Sequence, residues 1–244
     1  MPAGLRVGDN VLLPVARVSR DADSRWAIRS YKITSSKRRS IRVDLGRHSS
    51  SDWIATSAAH KLLGVYLVRI GDLSTEDDLL DPLLKSILQY SRLLLPDDHV
   101  RAVRVRSLKE LQYLWRKEGG AYSHVALIGH GRADAIRFGI DEWARAEQFG
   151  ELFEDAEQFG RVFVSLCCST GRKPFAAAFS STKCCSCLIA PFQSVHGAIA
   201  SQFCQTFLAY HLLEGRTATV AYNRARSSTA GSTKFRLWRK GTLC

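Results

Sequence analysis

Hydrophobic and polar positions follow two different patterns in the two parts of the chain. In the first fifty residues, short β-type runs at 10–18, 25–33 and 40–46 are separated by Asp, Ser and basic turns, which predicts strands or hairpins. From Gly64 onward, apolar runs of strand length alternate with segments whose apolar residues recur at helical spacing. This alternation predicts an α/β layered sheet with right-handed crossovers.

The alternating part predicts a definite order of elements. Strands are expected over residues 64–70, 99–105, 123–130, 161–166, 187–192 and 234–240. Helices are expected over residues 53–63, 74–94, 107–117, 195–215 and 217–226, with helical turns over residues 141–160. We divide the chain into a basic, β-rich N-terminal extension, residues 1–52, and a larger domain, residues 53–244.

Two of the predicted strands end in residues that can do chemistry. The run HVALIGHG ends at His130 and Gly131, and the run RVFVSLCCSTG ends at Cys167 and Cys168. Apolar runs of this length, closed by Gly, are typical of fully buried parallel strands. The carboxyl ends of such strands line the crevice where ligands bind in an open α/β sheet. We therefore expect the imidazole and one thiol to meet at the same edge.

A thiol and an imidazole at one site can form a nucleophile and its base. When such a nucleophile attacks a carbonyl, the oxyanion that forms needs hydrogen-bond donors. The backbone N–H groups of Gly131 and of the nucleophilic cysteine can each supply one. Taken alone, a His after an apolar strand is more often a structural residue, and a buried Cys is more often a small hydrophobe. The hypothesis of a nucleophile and its base therefore rests on the His and the Cys occurring together, each at the end of a predicted strand.

Composition indicates an ordinary globular protein of 244 residues, with 45% hydrophobic and 24% charged residues. No run approaches 18 apolar residues and the first ten lack an apolar core, so we expect neither a membrane span nor a signal peptide. Seven cysteines, an odd number with several adjacent in sequence, favour a reduced, cytoplasmic chain.

The net charge of +12 suggests an acidic partner, and nucleic acid is one possibility. It is not the favoured one, because solubility alone often explains such a charge. The basic run Lys37-Arg38-Arg39 is interpreted as a solvated turn, since no aromatic residue interleaves it.

An acidic segment at residues 141–157, together with Asp134, offers a way to attract a basic side chain of a substrate. A solvated helix face is the alternative interpretation of the same acidic residues.

No metal or cofactor is expected. Cys184 and Cys187 form one C-x-x-C, but a structural zinc site needs four ligands, and His196 and Cys204 lie at unsuitable spacing. No Gly-rich phosphate-binding loop occurs.

The two strand-end motifs resemble those of the caspase-like cysteine proteases, and most closely their CHAT branch, to which separases are related. The resemblance extends over residues 64–226 and includes the tail IAPFQSVHGAIASQFCQTFLAYHLLEGRTATVAYNRAR. The family places a small residue before the nucleophile and Ser/Thr-Gly two and three positions after it. Cys168 fits this pattern, whereas Cys167 would place Leu166 in the small position. Cys168 is thus the expected nucleophile and Cys167 the alternative.

This resemblance implies a caspase-like α/β/α sandwich with a mostly parallel central sheet. It implies a cysteine endopeptidase with a His130–Cys168 dyad, and a substrate groove flanked by residues 190–195, including Phe192 and Ser194. The Gln-Ala-Cys core of true caspases is absent, so caspase specificity for Asp is not supported. The segment 172–186 is expected to be a mobile loop.

By analogy, such a protein would have a protein substrate and a regulatory protein partner, and would act as a triggered effector in bacterial stress or phage defence. Two other functions stay open: a catalytically silent interaction domain of the same fold, and a basic nucleic-acid-binding protein.

Overall fold

A computed structural model of the chain describes residues 5–14, 17–18, 28–46, 49–59, 64–71, 78–118, 122–140, 142–153 and 160–244. A small antiparallel sheet comes first in the chain, and its strands are β1 (Asn10–Pro14), β2 (Ile28–Lys37), β3 (Ser40–Gly46), β4 (Ser49–Ser50) and β5 (Ile54–Ala55). It has its own core of buried apolar residues, namely Val11, Leu13, Ile33, Ile41, Val43, Ile54 and Ala58.

The strands that follow are β6 (Val65–Ile70), β7 (Val100–Val105), β8 (His124–Ile128), β9 (Ala135–Phe138), β10 (Glu142–Arg145), β11 (Arg161–Ser165), β12 (Cys185–Pro191), β13 (Phe235–Arg239) and β14 (Thr242–Leu243). Strands β9 and β10 form a hairpin, and the others form a seven-stranded sheet in the order β14-β13-β12-β11-β8-β6-β7. Neighbours from β12 through β7 are parallel, while β13 and β14 are antiparallel at one edge.

Helices cover both faces of this central sheet. They are α1 (Leu80–Leu94), α2 (Leu108–Glu118), α3 (Ala146–Phe153), α4 (Lys173–Ser180), α5 (Gly197–Leu208) and α6 (Ala218–Ser228), with a π-helical turn at Ala209–Leu213 after α5. Buried residues of α1, α5 and α6 share one core with the sheet, and those of α2, α3 and α4 share the other. The predicted α/β/α sandwich with a mostly parallel sheet, preceded by a β-rich region, is confirmed.

Continuous apolar runs form the central strands because both sheet faces are covered. All six residues of β6 are buried. On the α2–α4 side, the core is a cluster of aromatic rings in which Phe163 meets Phe179 edge to face, with ring centroids 4.8 Å apart. On the other side, Phe203 of α5 stacks on Phe235 of β13 at 3.9 Å. These rings fix the layers against the sheet.

Three predicted elements differ from the structure. The helix predicted at 53–63 is wrong, because Ile54 pairs with Ile41 in the small sheet and only a short 3₁₀ turn, Thr56–Ala58, follows; residues 60–63 lie outside the described part. Residues 142–145 are a strand of the β9–β10 hairpin and not a helical turn. The segment 172–186 is not a mobile loop, since it contains α4 and buries Phe175 and Phe179.

The predicted division at residue 52 stays a prediction, and the small sheet itself includes Ile54 and Ala55. Within the described part of the chain, every helix is too short or too polar to cross a bilayer.

Gly64 aligns β8 with β6, and β8 leads to the sheet edge where His130 follows. Its carbonyl accepts hydrogen bonds from the N–H groups of Ser123 and His124, which sets where β8 begins beside β6. Gly64 has a φ of +119°, and a Cβ at this position would collide with the His99 carbonyl oxygen. Only glycine both tolerates this positive φ and leaves room for the His99 carbonyl oxygen.

We predict that Gly64→Ala lowers the free energy of unfolding by about 3 kcal/mol or more, because backbone strain and overpacking add. Gly46→Ala is the matched control: Gly46 has a φ of +80° but open space around its Cβ position. It should cost about 1–2 kcal/mol. Denaturant unfolding measures both, and equal losses for the two variants would contradict this role of Gly64.

Candidate active site

The two strands that carry the predicted reactive residues are direct neighbours. Strands β8 and β11 pair in parallel, with Val164 opposite Ala126 and Ser165 opposite Leu127. The chain beyond β8 therefore leaves the sheet at the same edge as the chain beyond β11. His130 follows the first strand, and the two cysteines follow the second.

The His130 loop packs directly on the cysteine turn. A Cβ added to Gly131 would lie 2.7 Å from the carbonyl oxygen of Cys168 and 2.8 Å from the Cβ of Cys167. A Cβ on Gly129 would lie 3.6 Å from the Sγ of Cys167. Residues on both sides of His130 thus touch the cysteine turn, and the approach is too close for any side chain at 131.

The two cysteines have opposite environments. Cys167 is fully buried with its Sγ 3.7 Å from the Leu127 carbonyl oxygen, and burial raises the pKa of its thiol to about 12. Cys168 is partly exposed, and its Sγ lies 3.5 Å from Ser194 Oγ and 4.0 Å from the Val195 carbonyl oxygen. A nucleophile must be accessible, and a buried thiol with a raised pKa is a poor one, so Cys167 is disfavoured and Cys168 is the accessible thiol of the two.

A buried hydroxyl pair holds the cysteine turn. Thr170 Oγ1 donates to the Cys167 carbonyl oxygen at 2.7 Å and lies 2.8 Å from Ser165 Oγ. Ser165 Oγ also accepts from the Cys167 N–H at 3.3 Å. Both hydroxyl residues are completely buried, so these bonds form in a low dielectric and fix the backbone that presents Cys168.

Ser169, directly after Cys168, has a left-handed backbone with a φ of 65°. Non-glycine residues rarely adopt this conformation, and such strain persists only where neighbours enforce it. Here the Ser169 N–H bonds to the Gln193 carbonyl oxygen at 3.4 Å, and the Gly171 N–H bonds to the Pro191 carbonyl oxygen at 2.8 Å. The turn is thereby held against the segment after β12.

Backbone N–H groups for an oxyanion are available at this edge. Gly131 forms an antiparallel bridge with Ile136, but the bonds of that bridge come from Arg137 N–H to the His130 carbonyl and from Arg132 N–H to the Ala135 carbonyl. The bridge does not use the Gly131 N–H. Neither this N–H nor that of Cys168 donates to another described residue.

The segment at residues 192–195 lies beside Cys168, and three basic side chains contact it. Lys234 Nζ donates to the Ser194 carbonyl oxygen at 3.0 Å, and Arg172 Nε donates to the Phe192 carbonyl oxygen at 3.0 Å. Arg236 stacks its guanidinium on the Phe192 ring, 3.8 Å from the centroid. The structure thus brings Ser194 next to Cys168 and places Phe192 on the same segment.

Asp134 lies on the His130 loop but already has a partner. Its carboxylate accepts from Arg132 Nε at 2.8 Å, and the Arg132 guanidinium also stacks on the Trp143 ring at 4.4 Å. A basic substrate side chain would therefore have to compete with Arg132 for this carboxylate.

The cysteines after α4 do not gather into a ligand set. Cys184 Sγ lies 3.1 Å from Thr182 Oγ1, and burial raises the thiol pKa of Cys185 and of Cys187, the latter to about 11. Among the described residues, no three His, Cys, Asp or Glu side chains are grouped as metal ligands.

Several contributors to the site carry no local sequence signal. Ser165 is one residue of an apolar strand, and Lys234 and Arg236 begin the last predicted strand. Their contacts with the cysteine turn and the 192–195 segment depend on tertiary pairing. A signal existed only for Thr170, which occupies the Ser/Thr position of the motif after Cys168.

Comparison with known proteins supports the fold. No protein-family model matches this chain, and no curated protein matches it. Among solved structures, it is similar to a secreted C11 cysteine protease from Bacteroides thetaiotaomicron, determined in complex with an irreversible peptide inhibitor. The TM-score is 0.54 at 8% identity, over 73% of this chain and 66% of the other. The chain therefore has a caspase-like fold and spans slightly less than two thirds of that protein.

We predict that native-state alkylation at pH 8 modifies Cys168 and the exposed Cys244 but not Cys167. A thiol with a pKa of about 12 is almost entirely protonated at that pH, and burial also blocks access. Mass mapping after brief iodoacetamide treatment measures this, with Cys168→Ser as the control. Cys167 labelled as fast as Cys168 would contradict the assignment.

We further predict that Thr170→Val lowers the free energy of unfolding by about 1–3 kcal/mol, because it leaves buried partners unsatisfied. Thr170→Ser keeps the hydroxyl and should therefore recover most of the unfolding free energy that is lost with the hydrogen bonds. The alkylation rate of Cys168 should change in the Val variant and stay near wild type in the Ser variant. A Thr170→Val protein that matches wild type in both measurements would rule out this network as the support of the turn.

Proposed function

We propose that this chain is a cysteine endopeptidase that uses Cys168 as its nucleophile and His130 as its acid and base. One observation carries the proposal. The partly exposed thiol of Cys168 sits on a strained turn packed against the His130–Gly131 backbone, at the carboxyl edge of two adjacent parallel strands. The similarity of fold to a caspase-like cysteine protease supports the same reaction class.

In the proposed reaction, His130 takes the proton of the Cys168 thiol as the sulfur attacks the scissile carbonyl carbon. The oxyanion that forms accepts hydrogen bonds from the N–H groups of Gly131 and Cys168. The protonated imidazole then gives its proton to the leaving amine, and the C–N bond breaks to leave a thioester. Water adds to the thioester with His130 as base, and the thiol is restored as the acid product leaves.

The substrate would bind as an extended strand beside residues 190–195, with Phe192 and Ser194 as contacts. The Lys234 and Arg172 bonds to this segment would keep it in place during turnover. Asp134 stays our candidate for a basic P1 residue, in competition with Arg132.

Membership of the CHAT branch, a regulatory protein partner and a role in bacterial stress or phage defence belong to the same proposal. None of the seven cysteines forms a disulfide bond, which fits action in the reducing cytoplasm. The adjacent cysteines Cys167–Cys168 and Cys184–Cys185 are part of the pattern from which the sequence predicts a reduced chain.

The test is labelling with peptidyl electrophiles that carry Arg, Asp or Leu at P1, followed by mass mapping. We expect covalent labelling of wild type and of Cys167→Ala, and none above background in Cys168→Ala or His130→Ala. Loss of the preference for an Arg probe in Asp134→Asn would support the P1 role of Asp134.

Two results would count against the protease. Labelling at Cys167 in place of Cys168 would overturn the choice of nucleophile. No labelling by any probe, also in the presence of candidate partner proteins, would favour the catalytically silent interaction domain.

A further inference from the structure

The outer face of the small sheet places an aromatic ring among basic side chains. The indole of Trp53 contacts both Lys37 and Arg42, with Lys37 Nζ 4.1 Å and the Arg42 guanidinium 4.8 Å from ring centroids. Trp53 is 37% exposed. The sequence alone offers no aromatic residue beside the basic run, and the fold supplies one from the segment before β5.

The core of the sheet fixes this arrangement. Ile41 pairs with Ile54, and both side chains are buried on the inner face. Because successive residues of a strand point to opposite faces, their neighbours Arg42 and Trp53 must lie on the outer face. Lys37 reaches the ring from β2. Strands therefore hold Lys37 and Arg42, while Arg38 and Arg39 form the turn between β2 and β3 and Trp53 directly precedes β5.

The surrounding charge is strongly one-sided. In residues 31–46 and 49–59 there are five basic residues and two acids: Lys32, Lys37, Arg38, Arg39 and Arg42 against Asp44 and Asp52. Asp44 already accepts from the Gly46 N–H at 2.8 Å. No carboxylate of the described chain forms an ion pair with Lys37, Arg38 or Arg39.

Arg42 adds a second indication of a missing partner. Its Nε is buried and has no hydrogen-bond partner among the described residues. The Arg42 side chain as a whole is partly exposed, and a phosphate that contacts its guanidinium would be an acceptor of the right charge and geometry.

From these observations we infer that the outer face of the small sheet, defined by Lys37, Arg38, Arg39, Arg42 and Trp53, binds single-stranded nucleic acid. The basic side chains would contact phosphates, and an unpaired base would stack on Trp53 after phosphate draws Lys37 away from the ring. An acidic polypeptide would satisfy the charges but has no use for the indole face. The inference rests on a different sheet from the proposed active site and does not require proteolysis.

The test uses the full chain and a fluorescein-labelled 12-nucleotide oligo(U), with anisotropy measured from 50 to 200 mM salt. Trp53→Ala should weaken binding about tenfold while the salt dependence stays unchanged, because stacking is lost and the ionic contacts remain. Trp53→Phe should recover part of the affinity. Replacing Lys37, Arg38 and Arg39 together by Gln should weaken binding more and lower the slope of log affinity against log salt by about 2.

The matched controls are Tyr113→Ala and Lys109→Ala, which remove an exposed aromatic and a nearby cation from the surface of α2. Both should bind like wild type. The inference is overturned if wild type fails to bind at 50 mM salt, if the controls weaken binding as much as the sheet variants, or if polyglutamate competes equally while Trp53→Ala has no effect. The last outcome would assign the face to an acidic protein.

Discussion

The close contact between the Gly131 backbone and the cysteine turn is the constraint on which the site depends. It exists because β8 and β11 are adjacent and parallel, so that their carboxyl ends leave the sheet side by side. The absence of a side chain at 131 lets the His130 loop approach the Cys168 carbonyl. His130, the Gly131 N–H and the left-handed turn after Cys168 are thus brought to one place by these two strand ends alone.

Burial separates the two neighbouring thiols into different roles. The side chain of Cys167 enters the core and has its pKa raised to about 12, whereas Cys168 emerges beside Ser194. The Ser165–Thr170 pair connects the two roles, since it fixes the backbone that buries one cysteine and exposes the other. The burial of Cys167 and the exposure of Cys168 therefore both depend on the same buried hydrogen bonds.

Local patterns were enough to predict the central sheet and the edge where His130 and Cys168 follow their strands, because continuous buried runs have a strong signal. Prediction failed where a distant partner decides the structure. The helix predicted from Trp53 is absent because Ile54 pairs with Ile41 in the small sheet. Helix α4 was not predicted because it depends on distant partners: Phe175 packs on Phe149 of α3, and Phe179 packs on Phe163 of β11. For the same reason, no sequence pattern could place Lys234 on Ser194 or Trp53 on Lys37.

A crystal structure of the chain after reaction with a peptidyl electrophile would test the central claim most directly. The account predicts a covalent bond from Cys168 Sγ to the electrophilic carbon, with the former carbonyl oxygen within about 3 Å of the Gly131 N–H. It also predicts the peptide extended beside residues 190–195. A bond to another cysteine, or an oxygen turned away from Gly131 with the His130 ring remote from the adduct, would contradict it.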